Sequence, residues 1–283
     1  MSVTSESPAR LTDVQVGEVL ALAKDADSVE LKLTVPDSYR RQAAAALDVD
    51  PLDAQIRQVY FFDTPDLALN DVGVVARARR VQGRGDDSVV KLRPVVPADV
   101  QEERTSDNLV VEVDAMPGGF VCSASMKGAL GPKAVKEVAA GRKGIRTLFS
   151  KEQRQFFKAH APDGVTLDDL SILGPITVFK LKIRPPELSM RIVAELWFYP
   201  DGSRILELSA KAAPSEAFQA AAELRAFLAA KGLDVSGEQQ TKTKTALQFF
   251  ADQLAAPNGA TPGKAPAKTT GRARARRREP ARQ

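Results

Sequence analysis

Along much of this chain, ionisable and apolar residues take turns at successive positions. From Ser28 to Val35, Ser28, Glu30, Lys32 and Thr34 alternate with Val29, Leu31, Leu33 and Val35. The same spacing pairs Arg77 with Arg79, Lys91 with Arg93, and Glu112 with Asp114. It also aligns Lys180, Lys182 and Arg184 against Phe179, Leu181 and Ile183. Successive side chains of a strand point to opposite faces, so each run predicts a strand with one ionic and one apolar side. Strands are predicted over 28–35, 57–63, 72–81, 88–94, 109–115, 176–184, 191–199 and 204–211. Turn formers such as Thr64-Pro65-Asp66 and the stretch Gly83 to Asp87 separate them, and Pro200-Asp201-Gly202-Ser203 joins the last two as a hairpin.

Helical spacing fills the remainder. Residues 8–24 are weakly helical, 38–47 form an Ala-rich helix, and one or two helices fall between 134 and 161. A longer helix over 215–231 is expected to bury Phe218, Ala221, Leu224, Phe227 and Leu228, with Ser215 as its cap and Gly232 as its end. A last helix over 243–254 carries Leu247, Phe250 and Leu254. About eight mostly antiparallel strands suffice to close a barrel. If the ionic faces point inward, the apolar outer faces need cover, and the amphipathic helices supply it. If the ionic faces point outward, the helices have no apolar sheet to pack on. The expected fold is therefore α+β: an eight-stranded antiparallel β tunnel with a charged interior, surrounded by helices.

Composition narrows the classes. The 283 residues, 43% hydrophobic, can bury a full core. One cysteine, Cys122, excludes an intramolecular disulfide or a cysteine-based zinc site, and the lone His160 on a helical pattern reads as a surface or capping residue. The sequence has neither an apolar run long enough to span a bilayer nor a secretory leader pattern, so the expectation is a cytoplasmic chain without membrane contact. The formal charge of +4 is uneven: in residues 255–283 eight Lys or Arg face the single Glu279, a balance of +7 that leaves −3 for the rest. That tail lacks periodic apolar residues and predicts disorder, with loose contact to nucleic acid or another polyanion as one role and simple solubility as another. The expected organisation is a partly helical segment 1–26, a folded domain 27–254 and the basic tail 255–283.

Interior cations need anions, because desolvation of unpaired charge is not repaid. Lys32, Arg77, Arg79, Lys91, Arg93, Lys180, Lys182, Arg184 and Lys211 outnumber the carboxylates Glu30, Glu112, Asp114, Glu195 and Glu207. A multivalent anion is implied. No Walker-type Gly-rich loop and no nucleophile elbow is present, which excludes a P-loop NTPase or a serine hydrolase of that kind.

Several segments, in this order, resemble CYTH domains of the triphosphate tunnel metalloenzymes. They are Val29-Glu30-Leu31-Lys32, Tyr60-Phe61-Phe62-Asp63-Thr64-Pro65, Arg77-Ala78-Arg79, Lys91 with Arg93, the Lys180 to Arg184 strand, and Glu207-Leu208-Ser209-Ala210-Lys211. The resemblance covers roughly Ser28 to Phe250. It implies a tunnel that binds a triphosphate group, with Mg or Mn held by carboxylates, here Glu30, Glu112, Glu195 and Glu207. It also implies substrate contacts from the nine cations named above, with Glu30, Lys32 and Lys91 closest to the chemistry. Activities in such domains include triphosphate hydrolysis and cyclisation of ATP.

Two positions depart from the pattern. Ser28 stands where the family's first strand carries a leading glutamate, and Ser209 stands where a second glutamate follows Glu207. Serine is a weaker ligand than carboxylate for a hard divalent ion. A metal-dependent phosphohydrolase and a binding module for a triphosphate-containing molecule or polyphosphate therefore both stay open. Asp63 beside Thr64-Pro65 reads as a turn former, Trp197 and Tyr199 as either closing one end of the barrel or lining the tunnel near a base or ring, and Lys242 and Lys244 as either tunnel-mouth or solvated lysines.

Overall fold

A computed structural model describes residues 23–101, 104, 106–233, 235, 246–247, 249–250 and 252. The segment 1–22, Lys242, Lys244, Leu254 and the basic tail lie outside the described residues. Nine strands close on themselves in the order β1-β5-β6-β4-β3-β2-β7-β8-β9. They are β1 (Ser28–Val35), β2 (Gln55–Asp63), β3 (Val74–Val81), β4 (Asp87–Leu92), β5 (Leu109–Met116), β6 (Gly119–Ala129), β7 (Ser171–Ile183), β8 (Ile192–Phe198) and β9 (Arg204–Ala212).

The expected charged tunnel is present, with nine strands rather than eight. The additional strand is β6, hairpinned to β5. Its core-side positions Cys122, Ala124 and Met126 alternate with Val121, Ser123, Ser125 and Lys127, a run of small residues in which only Lys127 is charged. Every neighbouring pair is antiparallel except β1 with β5, which run parallel. β7 begins at Ser171, earlier than expected. Pro175 sits inside it, beside a register irregularity between Val59 and Phe61 of β2. A proline withholds a ladder donor, and such irregularities are where strands tolerate it.

Helices α1 (Asp37–Ala46), α2 (Ala68–Asp71), α3 (Ala134–Ala139), α4 (Lys151–His160) and α5 (Ala217–Ala230) lie outside the barrel. Their buried side chains join the outward apolar faces in one core: Val29, Leu31 and Leu33 of β1 and Leu208 of β9 share it with Leu224 and Leu228 of α5 and with Phe156 and Phe157 of α4. α4 starts in a capping box. Ser150 accepts from the Gln153 amide, and Gln153 Oε1 accepts from the Ser150 amide. Fully buried Gln153 also donates to the carbonyls of Ser88 and Met126, which pins the helix to β4 and β6.

Two local expectations change. Ser215 does not cap the long helix: a 3₁₀ turn over Pro214–Glu216 leads into α5, because the proline at its first position favours the tight turn. Phe218 is 46% exposed rather than buried, since α5 turns Ala217, Ala220 and Leu224 inward. Gly232 does end the helix, at φ 72°, with its amide and that of Leu233 returning to the carbonyls of Ala229 and Leu228. Among the described residues, no helix is long and apolar enough to cross a membrane.

Candidate anion-binding tunnel

Alternation carries the ionic residues to the inner face of the barrel. The inward side of β1 holds Glu30 and Lys32, β4 brings Lys91 with Arg93 just beyond its end, and β5 contributes Glu112 and Asp114. Asp114 is the hub. Its carboxylate is fully buried, with Lys32 Nζ 2.8 Å from Oδ1, and Lys91 Nζ at 3.7 Å and Arg93 Nη1 at 3.5 Å from Oδ2. Burial works to raise the Asp114 pKa, but Lys91 and Lys32 outweigh it and hold the carboxyl below the usual range. The same contest lowers Glu30, where Lys32 Nζ sits 3.2 Å away. Lys91 bears the other side of this crowding: desolvation, only partly offset by Asp114, brings it down to about 8.

Gly73 fixes where Arg93 enters. Its φ is +75°, and a Cβ there would stand 2.7 Å from the Arg93 carbonyl oxygen, while its own carbonyl accepts from the Arg93 amide at 2.8 Å. Only glycine allows that approach.

A second group gathers on β2, β3, β7 and β8. Arg79 Nε meets Asp87 Oδ1 at 2.7 Å, directly across the β3–β4 ladder. Lys180 Nζ meets Glu195 Oε1 at 2.9 Å across β7–β8, and Trp197 Nε1 donates to Glu195 Oε2 at 3.3 Å. Arg77 lies between them. Among the described residues it has no carboxylate within ion-pair distance, and desolvation, reinforced by Arg79, lowers it to about 10. Arg57, 4% exposed, belongs to the same group.

The other positions singled out from sequence fall as follows. Lys211, half exposed, pairs with Glu112, and Lys127 Nζ approaches the same carboxylate at 3.9 Å. Glu207 is buried beside Glu195 in the β8–β9 register. Ser209 stands opposite Lys32, and Ser28 opposite Glu112. Lys182 and Arg184 are exposed at and beyond the end of β7. Asp63 is a structural anchor that accepts from the amides of Thr64, Leu69 and Asn70 at 2.8, 2.9 and 3.1 Å, and so organises the turn into α2.

Sequence reading passed over Arg57, and it counted Asp114 as one counter-ion among several. Arg57 shares a strand face with the apolar Val59 and Phe61, so the first carried no ionic pattern to mark it. The second carried no signal either, because its three cations arrive from β1 and from β4 with the residue beyond it.

Part of the same inner surface is apolar. Val59, Phe61, Ile176, Val178, Trp197, Tyr199 and Ile205 pack with Ala246, Leu247 and Phe250 into a second, separate core. That cluster lies against the ionic positions: Phe61 stands opposite Arg77, and Val59 opposite Arg79, in the β2–β3 register. Burial, with Glu207 and Asp201 nearby, pushes the Tyr199 phenol upward.

For a divalent metal the donor set is poorly disposed. Glu30 is engaged by Lys32, Glu112 by Lys211 and Glu195 by Lys180, and among the described residues no three acidic, histidine or cysteine side chains are grouped to hold an ion. Hard cations need several oxygen donors converging at once. Glu30, Glu112, Asp114 and Glu195 each have a lysine within ion-pair distance.

No family model and no curated protein matches the sequence. Solved structures do. A candidate adenylate cyclase from Bacillus halodurans superposes with a TM-score of 0.55 at 13% identity, covering 78% of this chain and 97% of its own. A candidate adenylyl cyclase from Hippeastrum, described as having a dominant triphosphatase activity, superposes with a TM-score of 0.58 at 19% identity, covering 78% and 95%. At such identities the likeness concerns the fold, which is the CYTH-like tunnel the sequence resemblance pointed to.

Proposed function

We propose that this chain binds a triphosphate or longer phosphoanhydride chain inside the tunnel. One observation carries this reading: the inner face concentrates desolvated cations whose nearby carboxylates are already claimed, and Arg77 has no ionic partner among the described residues. Guanidinium and ammonium groups spaced along a linear cavity match a row of phosphate oxygens, and charge-assisted hydrogen bonds there repay desolvation. Lys32, Lys91 and Arg93 serve one phosphoryl group, Arg77 and Arg79 another, with Lys180 beside them. Lys182, Arg184 and Lys211 attract the anion at the open rim. Thermal-shift and calorimetric titration test this directly. Inorganic triphosphate, without added metal, is expected to raise the melting temperature and bind far more tightly than orthophosphate. Equal, weak effects of both anions would end the proposal.

A second reading is hydrolysis of the bound chain with Mg or Mn. Its support is the triphosphatase activity described for the Hippeastrum neighbour. In that reading Glu30, Lys32 and Lys91 stand nearest the reacting phosphoryl group, and the acyclic phosphoanhydride, ATP included, is the substrate. Release of orthophosphate that requires Mn and is lost in Glu30→Ala supports turnover. Tight binding with no release under the same conditions supports a binding module.

A further inference from the structure

Arg57 is the cation for which neither the pattern of charged pairs nor the family resemblance gives a role. It lies on β2, on the face that points into the tunnel, four-hundredths exposed and surrounded by charges that other groups have taken. Arg79 and Arg84 approach Asp87 at 2.7 and 3.5 Å, and Glu195 belongs to Lys180. The only hydrogen bonds of the Arg57 side chain among the described residues run to an uncharged acceptor. Nε and Nη2 donate to Gln55 Oε1 at 3.1 and 2.8 Å. Gln55 is held in turn, donating through Nε2 to the Gln82 carbonyl at 3.1 Å, while Gln82 Oε1 accepts from the Ile56 amide at 3.0 Å. This relay fixes one edge of the guanidinium and leaves the N–H groups of the other edge for a ligand.

We propose that Arg57, oriented by Gln55 and joined by Arg77, forms a second phosphoryl-binding subsite on the β2–β3 wall, distinct from the Lys32, Lys91 and Arg93 group around Asp114. The inference rests on the oligophosphate reading and deepens it. The Asp114 group comes with its own counter-ion, whereas among the described residues the Arg57–Arg77 pair has no carboxylate within ion-pair distance, so the pair gains most from an incoming anion. An anion that bridges both subsites must be a chain of phosphoryl groups, which sets triphosphate and longer chains apart from orthophosphate. Desolvation, with Arg79 next, also lowers the Arg57 pKa, in keeping with a site that repels itself when empty.

The test is calorimetric titration of the full chain with inorganic triphosphate, alongside thermal melts without ligand. Arg57→Gln is expected to weaken binding about tenfold or more, the loss of a charge-assisted contact. The same variant is expected to raise the ligand-free melting temperature by about 2–4 °C, because a buried like charge is gone. A merely structural arginine would lower that temperature and leave affinity alone, and this result overturns the proposal. Arg57→Lys keeps the charge without the planar fork, and it serves if the glutamine variant does not fold. It is expected to weaken binding several-fold, and wild-type affinity in it overturns the assignment. Wild-type protein that fails to bind triphosphate overturns the oligophosphate reading itself. Wild-type binding with unchanged affinity in both variants removes Arg57 alone.

Discussion

Two regions of one inner surface are built on opposite principles. In the ionic one, β1, β3, β4, β5 and β7 point Lys32, Arg77, Lys91, Asp114 and Lys180 inward. In the apolar one, β2, β7, β8 and β9 point Phe61, Ile176, Trp197 and Ile205 inward and pack them together. Phe61 stands opposite Arg77 in the β2–β3 register and β7 contributes to both, so backbone geometry does not separate the two regions. The difference lies in what stabilises each: burial of apolar area in one, and compensation of charge in the other. The apolar region supplies packing that the desolvated cations of the ionic region do not.

That contrast breaks most visibly at Phe61, which has no exposed surface. Phe61→Ala should cost about 3–5 kcal/mol of stability, read by urea denaturation, while triphosphate affinity of the folded fraction stays near wild type. If affinity collapses together with stability, the two regions are not independent.

Asp114→Asn attacks the ionic region at its hub. Three cations lose their shared carboxylate, and a cost of about 3 kcal/mol is expected. Unlike the loss at Phe61, much of this one should be recovered by saturating triphosphate, because the anion replaces the missing charge. Melts with and without ligand check it.

A subtler difference lies in pH. Native Lys91 gives up its proton near 8, whereas the unfolded chain keeps it to about 10.5. Between those values the unfolded chain binds the extra proton, so this group makes stability rise with pH through the window. Affinity for the anion runs the other way, weakening several-fold as pH climbs through about 8. Lys91→Met should flatten both trends, and titration calorimetry across pH 7 to 10 reads them.

The smallest effect belongs to the rim. Lys182 is exposed, so Lys182→Ala should leave stability unchanged and cost at most about 0.5 kcal/mol of binding, vanishing at high salt. A larger loss would place the ligand further out than the Arg77 and Lys91 groups.

How much of this was legible beforehand follows from how each feature is encoded. Alternation of Glu30 and Lys32 with Leu31 and Leu33 is a period-two signal within one strand, so the strands, their ionic faces and the covering helices could be read. β6 was missed because Val121, Ser123 and Ser125 on one side and Cys122 and Ala124 on the other differ too little to show a face. Arg57 escaped for a related reason: its neighbours on the same face, Gln55 and Val59, carry no charge, and no basic pair marks it.

By itself, the sequence determined which residues can share a face, that the ionic faces are predominantly basic, and that apolar helices must cover the outside. These follow from local periodicity and from the cost of leaving apolar surface in water. Only the tertiary structure decided that Asp114 serves Lys32, Lys91 and Arg93 together, that Val59 and Phe61 join an inward apolar core, and that among the described residues Arg57 and Arg77 have no carboxylate within ion-pair distance. Each depends on distances between strands remote in the chain. Barrel closure and stagger set those distances, and no single strand carries them.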